Sequence, residues 1–146
     1  MNLVLLGAPG AGKGTQASLL ERFLNIPHIS TGDIFRSNIA DKTDLGLKAE
    51  KFISKGELVP DDMTIEIVKN RLIMKDCAKG FILDGFPRTI FQAKELDRIL
   101  NHNNMKIDKV IDFEIDDELA VKLLSKRLVC PECGRSYHTE DNPSQT

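Results

Sequence analysis

The stretch LLGAPGAGKGTQ at positions 5–16 holds four glycines, one proline and one lysine directly after the first apolar run of the chain. Glycine loses more conformational freedom on folding than any other residue, so this density of glycine needs a physical reason. Positions 7–13 match the pattern G-x-x-x-x-G-K-[ST], whose final hydroxyl comes one place late here, at Thr15. Such a loop aims successive backbone N–H groups at a phosphate chain, where side chains would obstruct the approach. The sequence therefore predicts a phosphate-binding loop in which Lys13 supplies a full positive charge, with a ligand-free glycine turn as the alternative.

Hydrophobic periodicity around this loop predicts strands that alternate with helices. The predicted strands are residues 2–6, 26–29, 80–85 and 109–115, and the predicted helices are 13–24, one from 30, 42–56, 61–74, 89–100 and 116–128. This alternation is typical of an α/β fold, a parallel sheet with crossover helices. After Leu128 the sequence becomes small, polar and rich in turn residues, which predicts a separate element or a tail.

Composition and charge narrow the class of protein. The chain has 146 residues, enough for one domain with a core, of which 41% are hydrophobic and 29% charged. A net charge of −2 gives no reason to expect binding to nucleic acid or to a membrane surface. No apolar run approaches the roughly 18 residues that a membrane span needs, and the apolar N-terminus is too short for a signal peptide. We therefore expect a cytoplasmic protein.

Two further stretches place polar residues where a second ligand would bind. STGDIFR puts Thr31 and Arg36 at the start of a predicted helix, and LDGFPRTIFQ puts Asp84 at the end of a strand, followed by Arg88 and Gln92. Ligands of open parallel sheets bind at the carboxyl ends of the strands. We expect the two arginines to converge on a second anion, which a guanidinium grips with two hydrogen bonds, and the aspartate to hold Mg²⁺ directly or through water. Taken singly, each arginine could be a solvated charge and the aspartate a turn cap.

The three cysteines do not suggest a disulfide framework, because their number is odd. Cys130-x-x-Cys133 followed by Gly134 has the shape of a metal knuckle, but structural zinc normally takes four ligands and the sequence offers one such pair. The alternative is two reduced cysteines in a turn. We expect Cys77 to be a small buried apolar residue.

Four motifs occur in one order along the chain: GAPGAGKGT at 7–15, STGDIFR at 30–36, GELVPD at 56–61 and DGFPR at 84–88. Together, in order and spacing, they resemble adenylate kinase, and the late hydroxyl of the loop is that family's own form. The resemblance covers the whole chain. It implies an α/β fold of the P-loop nucleoside monophosphate kinase type, a parallel sheet with flanking helices, with the last strand and the C-terminal helices missing from this sequence.

The resemblance implies Mg²⁺-dependent phosphoryl transfer, ATP + AMP ⇌ 2 ADP, which serves adenine nucleotide homeostasis. No general base is needed, because an AMP phosphate oxygen is already anionic, so catalysis is alignment plus charge neutralisation. By family similarity the catalytic residues are Lys13, Asp84, Arg88 and Arg127. The implied ATP-binding residues are Gly10, Ala11, Gly12, Lys13, Gly14, Thr15, Arg127, Ser136 and Tyr137. The implied AMP-binding residues are Thr31, Arg36, Glu57, Leu58, Val59, Gly85, Phe86, Pro87, Arg88 and Gln92.

The resemblance also implies a division of the chain. The core would comprise residues 1–29 and 60–125, an AMP-binding domain residues 30–59, and the start of an incomplete zinc lid residues 126–146. Closure over the acceptor would exclude water as a competing phosphoryl acceptor. Within the AMP site, the two arginines would hold the phosphate and Thr31 and Gln92 the adenine side.

The lid carries the least regular part of the resemblance. Bacterial members imply zinc at Cys130 and Cys133, with the remaining ligands beyond this sequence and His138 as a weaker candidate. Leu123 stands where the family has an arginine that packs on the ATP adenine, and Lys122 or Lys126 are the candidate replacements.

The sequence stops in mid-lid at Thr146, so we expect weak or absent turnover from this chain alone. We also expect exposed apolar surface that favours association, whereas the complete protein is expected to be a monomer. Three alternatives stay open at this point: a kinase for UMP, CMP or GMP, a non-catalytic nucleotide- or zinc-binding module, and a purely structural protein.

Overall fold

The structure, a computed structural model, describes residues 1–132, 135–140 and 143. Its centre is a sheet of four strands in the order β2-β3-β1-β4. The strands are β1 (Asn2–Gly7), β2 (His28–Ser30), β3 (Phe81–Asp84) and β4 (Lys109–Phe113). All three strand pairs are parallel, which confirms the α/β prediction.

Six α-helices accompany the sheet in the described part of the chain. They are α1 (Lys13–Leu24), α2 (Thr31–Ala40), α3 (Asp44–Ile53), α4 (Asp61–Leu72), α5 (Ile90–His102) and α6 (Asp117–Ser125), with a 3₁₀ turn at Lys75–Lys79. The first helix begins and ends where the sequence predicts it, while α3, α4 and α6 are shorter than predicted. Within the described residues, none of the helices combines the length and hydropathy that a membrane crossing requires.

The segment after α6 forms a two-stranded antiparallel ribbon, β5 (Arg127–Val129) with β6 (Ser136–His138). Leu128 pairs with Tyr137 at its centre. The sequence predicted a helix up to residue 128, which was wrong because β5 begins at Arg127, and it predicted a separate element or a tail after residue 128 without identifying a strand there. Three-residue strands have too little periodicity to reveal a pairing partner seven or more residues away.

The chain divides into two compact units. The first comprises residues 1–7, 12–31 and 60–114, and it contains the four-stranded sheet with α1, α4 and α5. The second comprises residues 8–11, 32–59 and the described part of 115–146, and it contains α3, α6, the ribbon and all but the first residue of α2.

The core of the first unit lies between α1 and one face of the sheet. A buried cluster is formed by Leu3, Leu5, Ala17, Ile26 and Ile82, and the partly buried Leu20, Leu24 and Phe113 pack against it. Strand β3 is buried at every position, as expected of a central parallel strand. Strand β4, at the edge, is exposed at four of its five positions.

Candidate active site

The glycine-rich loop connects the end of β1 to the start of α1, the context that the phosphate-binding pattern requires. Gly7, Gly10 and Gly12 have φ values of 138°, 83° and 88°, a region that side chains rarely adopt. At Gly7 a Cβ would also lie 2.7 Å from the carbonyl oxygen of Phe113, on the neighbouring strand β4. The glycines are therefore required by the backbone path of the loop, whether or not a ligand is bound.

Lys13 is the first residue of α1, and its side chain turns back over the loop. Its Nζ donates a hydrogen bond to the carbonyl oxygen of Gly7 at 2.8 Å. The ammonium group is thus held at the carboxyl end of β1, close to backbone rather than extended into solvent. This is where a phosphate bound by the loop would meet a full positive charge.

Asp84 ends β3 beside the first turn of α1. Asp84 is 7% exposed, and a Cβ added at Gly14 would lie 3.8 Å from Oδ2 of Asp84. Strand pairing places Asp84 next to Leu5 of β1, so the carboxylate and the glycine loop share one end of the sheet. The sequence predicted this placement from the single apolar strand that ends in an aspartate.

The carboxylate of Asp84 suits a metal ion whose other ligands come from a bound phosphate group and from water. Among residues 1–132, 135–140 and 143, the structure contains no group of three or more histidine, cysteine or acidic side chains that could hold a metal ion. Magnesium bound with a nucleotide needs only one or two carboxylates, because phosphate oxygens and waters fill the other positions. A single hard carboxylate therefore fits Mg²⁺ held jointly with phosphates.

His28 is the functional candidate that sequence reasoning missed. Its Nε2 lies 3.1 Å from Oδ2 of Asp84, and the two side chains are only 11% and 10% exposed. The signal was present in the sequence, because a histidine two positions before STGD lies on the strand that precedes the predicted anion-binding helix. Finding it required the pairing of β2 with β3, which no local pattern gives.

The loop after β3 gathers two of the predicted acceptor residues on one carbonyl group. The oxygen of Gly85 accepts from the hydroxyl of Thr31 at 3.0 Å and from Nε of Arg88 at 2.9 Å. Gly85 has φ 81°, and a Cβ there would lie 2.9 Å from the Thr31 hydroxyl. Phe86 is fully buried and precedes Pro87 through a cis peptide bond. The loop thus presents Thr31 and Arg88 together.

Gln92 lies in the first turn of α5 and is 2% exposed. Its Oε1 accepts from the backbone N–H of Arg88 at 2.7 Å, and its Nε2 donates to Oδ1 of Asp61 at 2.7 Å. Thr89, which caps α5 by accepting from the Gln92 N–H, also reaches Asp61. The amide is therefore engaged at both ends within the protein, and Asp61 is a second polar residue that the sequence did not single out.

Arg36 belongs to the second unit, where it pairs with Asp33 one turn earlier on α2. Its Nε is buried and has no hydrogen-bond partner among the described residues. Val59, also predicted to bind the acceptor, is 7% exposed, whereas Glu57 and Leu58 are exposed. The predicted convergence of Arg36 with Arg88 stays a prediction.

The ribbon of the second unit carries the predicted lid residues. Arg127 donates to the hydroxyl of Ser136 through Nη2 at 2.9 Å, across the paired strands β5 and β6. The N–H of Cys130 donates to the carbonyl oxygen of Arg135 at 2.8 Å, which closes the turn between the strands. Cys133, the second predicted zinc ligand, lies outside the described residues. Lys126, a candidate for the adenine contact in place of Leu123, forms an ion pair with Glu140.

Comparison with known proteins gives one consistent family. Residues 5–145 match the family described as adenylate kinase. The chain is 55% identical to the adenylate kinase of Clostridium kluyveri over 143 residues, which are 98% of this chain and 66% of that protein. It is 56% identical to that of Finegoldia magna over 145 residues, with 99% and 67% covered, and 58% identical to that of Acetivibrio thermocellus over 138 residues, with 94% and 64% covered. The chain spans about two thirds of the length of the curated relatives that it matches.

Proposed function

Because this chain belongs to the adenylate kinase family, we propose that the protein transfers a phosphoryl group from ATP to AMP to give two ADP. The observation that carries the proposal is the position of Lys13, whose Nζ lies 2.8 Å from the Gly7 carbonyl inside a loop of left-handed glycines. A triphosphate bound there would be held by backbone N–H groups and would replace the carbonyl oxygen as the partner of the ammonium group.

On the donor side, residues 10–15 would hold the ATP phosphates, and Arg127, Ser136 and Tyr137 would approach ATP from the ribbon. The hydrogen bond from the Arg127 guanidinium to the Ser136 hydroxyl supports this assignment, because it holds the two side chains next to each other on the ribbon. The reaction needs positive charge on both sides of the transferred group, and arginine supplies it without losing its proton.

On the acceptor side, Arg88 would hold the AMP phosphate together with Arg36, and Thr31 and Gln92 would lie beside the adenine. The hydrogen bond from Nε of Arg88 to the Gly85 carbonyl oxygen supports the role of Arg88, because it fixes the guanidinium at the end of β3. Beyond its two present contacts, the Gln92 amide has a second N–H and a second Oε1 lone pair through which it would bind adenine. We include Glu57, Leu58, Val59, Phe86 and Pro87 in the same site on the resemblance alone.

The chemistry asks little of the protein beyond positioning. An AMP phosphate oxygen is already an anion, so no side chain has to remove a proton before it attacks the γ-phosphorus of ATP. Mg²⁺, when bound with ATP, neutralises phosphate charge, and Asp84 is the residue that would hold it. Lys13, Arg88 and Arg127 would stabilise the charge that spreads over the transferred group.

A zinc site in the ribbon turn is a separate part of the proposal. The spacing Cys130-x-x-Cys133 supports it, and so does the hydrogen bond from the Cys130 N–H to the Arg135 carbonyl oxygen, which holds these two residues together. Metal analysis of the purified protein tests it. We expect bound zinc that Cys130→Ser lowers and Cys77→Ser leaves unchanged, and equal zinc content in all three proteins would contradict the site.

Calorimetric titration with MgATP tests the proposed function at its central residue. Lys13→Ala should weaken MgATP binding by about 10- to 100-fold, the value of a charge-assisted contact of about 1.5–3 kcal/mol. Lys48→Ala, the same change at an exposed lysine of α3, is the matched control and should bind as the unmodified protein does. Equal binding by Lys13→Ala and Lys48→Ala would contradict the assignment of the loop.

A coupled assay of ADP formation separates this function from its rivals. AMP should be the preferred acceptor when AMP, UMP, CMP and GMP are compared at equal concentration. Preference for another monophosphate would assign a different nucleoside monophosphate kinase. Because weak or absent turnover is expected from this chain alone, binding of AMP is measured beside it, and MgATP binding without any AMP binding would favour the non-catalytic nucleotide-binding module.

A further inference from the structure

The buried contact between His28 and Asp84 has no place in the phosphoryl-transfer scheme above. Oδ2 of Asp84 lies 3.1 Å from Nε2 of His28, and both side chains are about nine-tenths buried. A carboxylate only accepts hydrogen bonds, so the histidine must carry its proton on Nε2. The contact therefore fixes both the tautomer of His28 and one oxygen of Asp84.

Strand register and helix α1 build this contact together. His28 pairs with Ile82 and Ser30 pairs with Asp84 in the parallel β2–β3 ladder, so His28 and Asp84 are diagonal neighbours on one face of the sheet. That face is the one that carries Leu3, Leu5 and Ile82 against Ala17 of α1. The backbone N–H of His28 donates to Oε1 of Glu21, also on α1, at 3.1 Å. The backbone of His28 is thus anchored to the helix whose first turn borders Asp84.

An aspartate at the end of a strand can otherwise rotate its carboxylate. Mg²⁺ tolerates little deviation from octahedral geometry, so a freely rotating ligand would bind it weakly. A hydrogen bond to one carboxylate oxygen restricts this rotation and leaves the lone pairs of the other oxygen for the metal or for its water. The imidazole of His28 performs this restriction at the residue that the proposed function assigns to Mg²⁺.

We infer that His28 is a positioning residue that orients Asp84 toward the Mg²⁺ that accompanies ATP. The inference rests on the proposed function for the identity of the nucleotide and of the metal. It assigns to His28 no contact with nucleotide and no proton transfer. A purely structural role, in which the contact only stabilises the sheet, is the competing explanation.

The two explanations differ in what they predict for ATP binding with and without metal. We divide the dissociation constant of ATP in excess chelator by that in excess Mg²⁺, and this ratio, which rises as the metal tightens binding, measures the contribution of the metal. His28→Phe keeps a ring of similar size but has no N–H group, and it should lower this ratio about 10-fold while metal-free ATP binds as before. His28→Gln keeps a side-chain N–H that can reach Asp84, and it should retain the ratio within about threefold. His102→Phe, at the exposed end of α5, is the matched control and should leave the ratio unchanged.

Each outcome decides between the explanations. A lowered ratio in His28→Phe that His28→Gln restores supports positioning, whereas equal weakening of both forms of ATP, or no change in the ratio, overturns it. A ratio near one in the unmodified protein also overturns it. If His28→Phe does not fold, ¹⁵N NMR of the imidazole in the unmodified protein decides instead: the Nε2 signal should shift when Mg²⁺ is added to the ATP complex, and a bare Nε2 or an unshifted signal overturns positioning. Failure of this inference leaves the loss of MgATP binding in Lys13→Ala intact, whereas failure of the proposed function would remove the difference between Lys13→Ala and the unmodified protein.

Discussion

Arg71 links the end of α4 to the 3₁₀ turn that leads into β3. Its two terminal nitrogens donate to the two carboxylate oxygens of Asp76 at 2.8 Å and 2.6 Å, and Nη1 also lies 3.2 Å from Sγ of Cys77. These hydrogen bonds hold the pKa of Asp76 below its usual range and raise that of Arg71. Burial raises the pKa of the Cys77 thiol, which is 2% exposed. The planar guanidinium thus ties the end of α4 to the 3₁₀ turn through a bidentate pair.

Asp76→Asn should make the free energy of unfolding less sensitive to acid. The folded pKa of Asp76 is lowered relative to the unfolded chain, so its contribution is present above the unfolded value of about 3.9 and is lost as the pH falls through the lower folded value. The unmodified protein should therefore exceed Asp76→Asn in stability at about pH 7, and the difference should shrink toward about pH 3. Urea denaturation at several pH values measures it. Asp41→Asn, at an exposed turn, is the control, and a difference for Asp76→Asn that does not vary with pH would contradict the ion pair's role.

Single residues were predictable from sequence where the chemistry is local. The glycines of the phosphate loop and Lys13 could be found because their spacing is itself the signal. Burial of Cys77 was predicted and is confirmed, but its contact with Arg71 was not foreseen. His28 and Asp61 escaped because their partners are 56 and 31 residues away, at distances that only strand pairing and helix packing set.

Helices α2 and α3 approach each other so closely that one position must be glycine. A Cβ at Gly46 would lie 2.0 Å from the carbonyl oxygen of Asn38, near the end of α2. The same carbonyl accepts the N–H of Thr43, and the Thr43 hydroxyl caps α3 by accepting from the Gly46 N–H at 3.0 Å. The turn between the helices is thus closed by backbone contact with no room for a methyl group.

Gly46→Ala should destabilise the protein by about 1–3 kcal/mol, the cost of overfilling a packed site. The sign is the test, because alanine normally stabilises a helix interior by about 1 kcal/mol relative to glycine. Urea denaturation gives the free energy of unfolding. Gly14→Ala in α1 is the matched control, since its nearest contact would be an ordinary 3.8 Å, and it should not lower stability. Equal stability of Gly46→Ala and the unmodified protein would show that the two helices can separate without cost.

The ends of elements were predictable where capping and periodicity agree. Helix α1 lies between a loop of left-handed glycines and Asn25, whose φ of 51° ends it, and the sequence predicted both ends. Helix α6 was predicted to extend three residues too far at its C-terminal end, because Arg127 pairs with His138 across the ribbon instead of continuing the helix. Pairing across a turn overrides local helical preference at that point.

At the scale of the molecule, the sequence predicted a parallel sheet but not the order of its strands. Alternation of strands and helices indicates parallel pairing, since each crossover helix returns the chain to the end of the sheet where the preceding strand began. The order β2-β3-β1-β4 depends on which faces the helices cover, and that information is spread over the whole chain. The central position of β3 had a trace in the sequence, because its apolar residues are continuous rather than alternating.

Edge strand β4 is unusual for a parallel strand, because it is exposed on both faces of the sheet. Ile111 pairs with Leu5 and so lies on the α1 side, where it is 37% exposed, while Val110 on the opposite side is 57% exposed. In the described part of the chain, β4 pairs with β1 and with no further strand. Its other edge therefore offers unpaired backbone groups flanked by apolar side chains, a combination that promotes edge-to-edge pairing between copies.

Sedimentation velocity over a range of protein concentrations should therefore detect reversible self-association of this chain. Val110→Lys should weaken it, because a lysine on an edge strand must lose its hydration when a second strand pairs there. Ile73→Lys is the matched control, since Ile73 is similarly exposed, at 59%, but lies at the end of α4 rather than on the sheet edge. Association that both substitutions weaken equally would reflect general surface hydrophobicity, and a monomer at every concentration would show that the edge is protected by its own twist and charge.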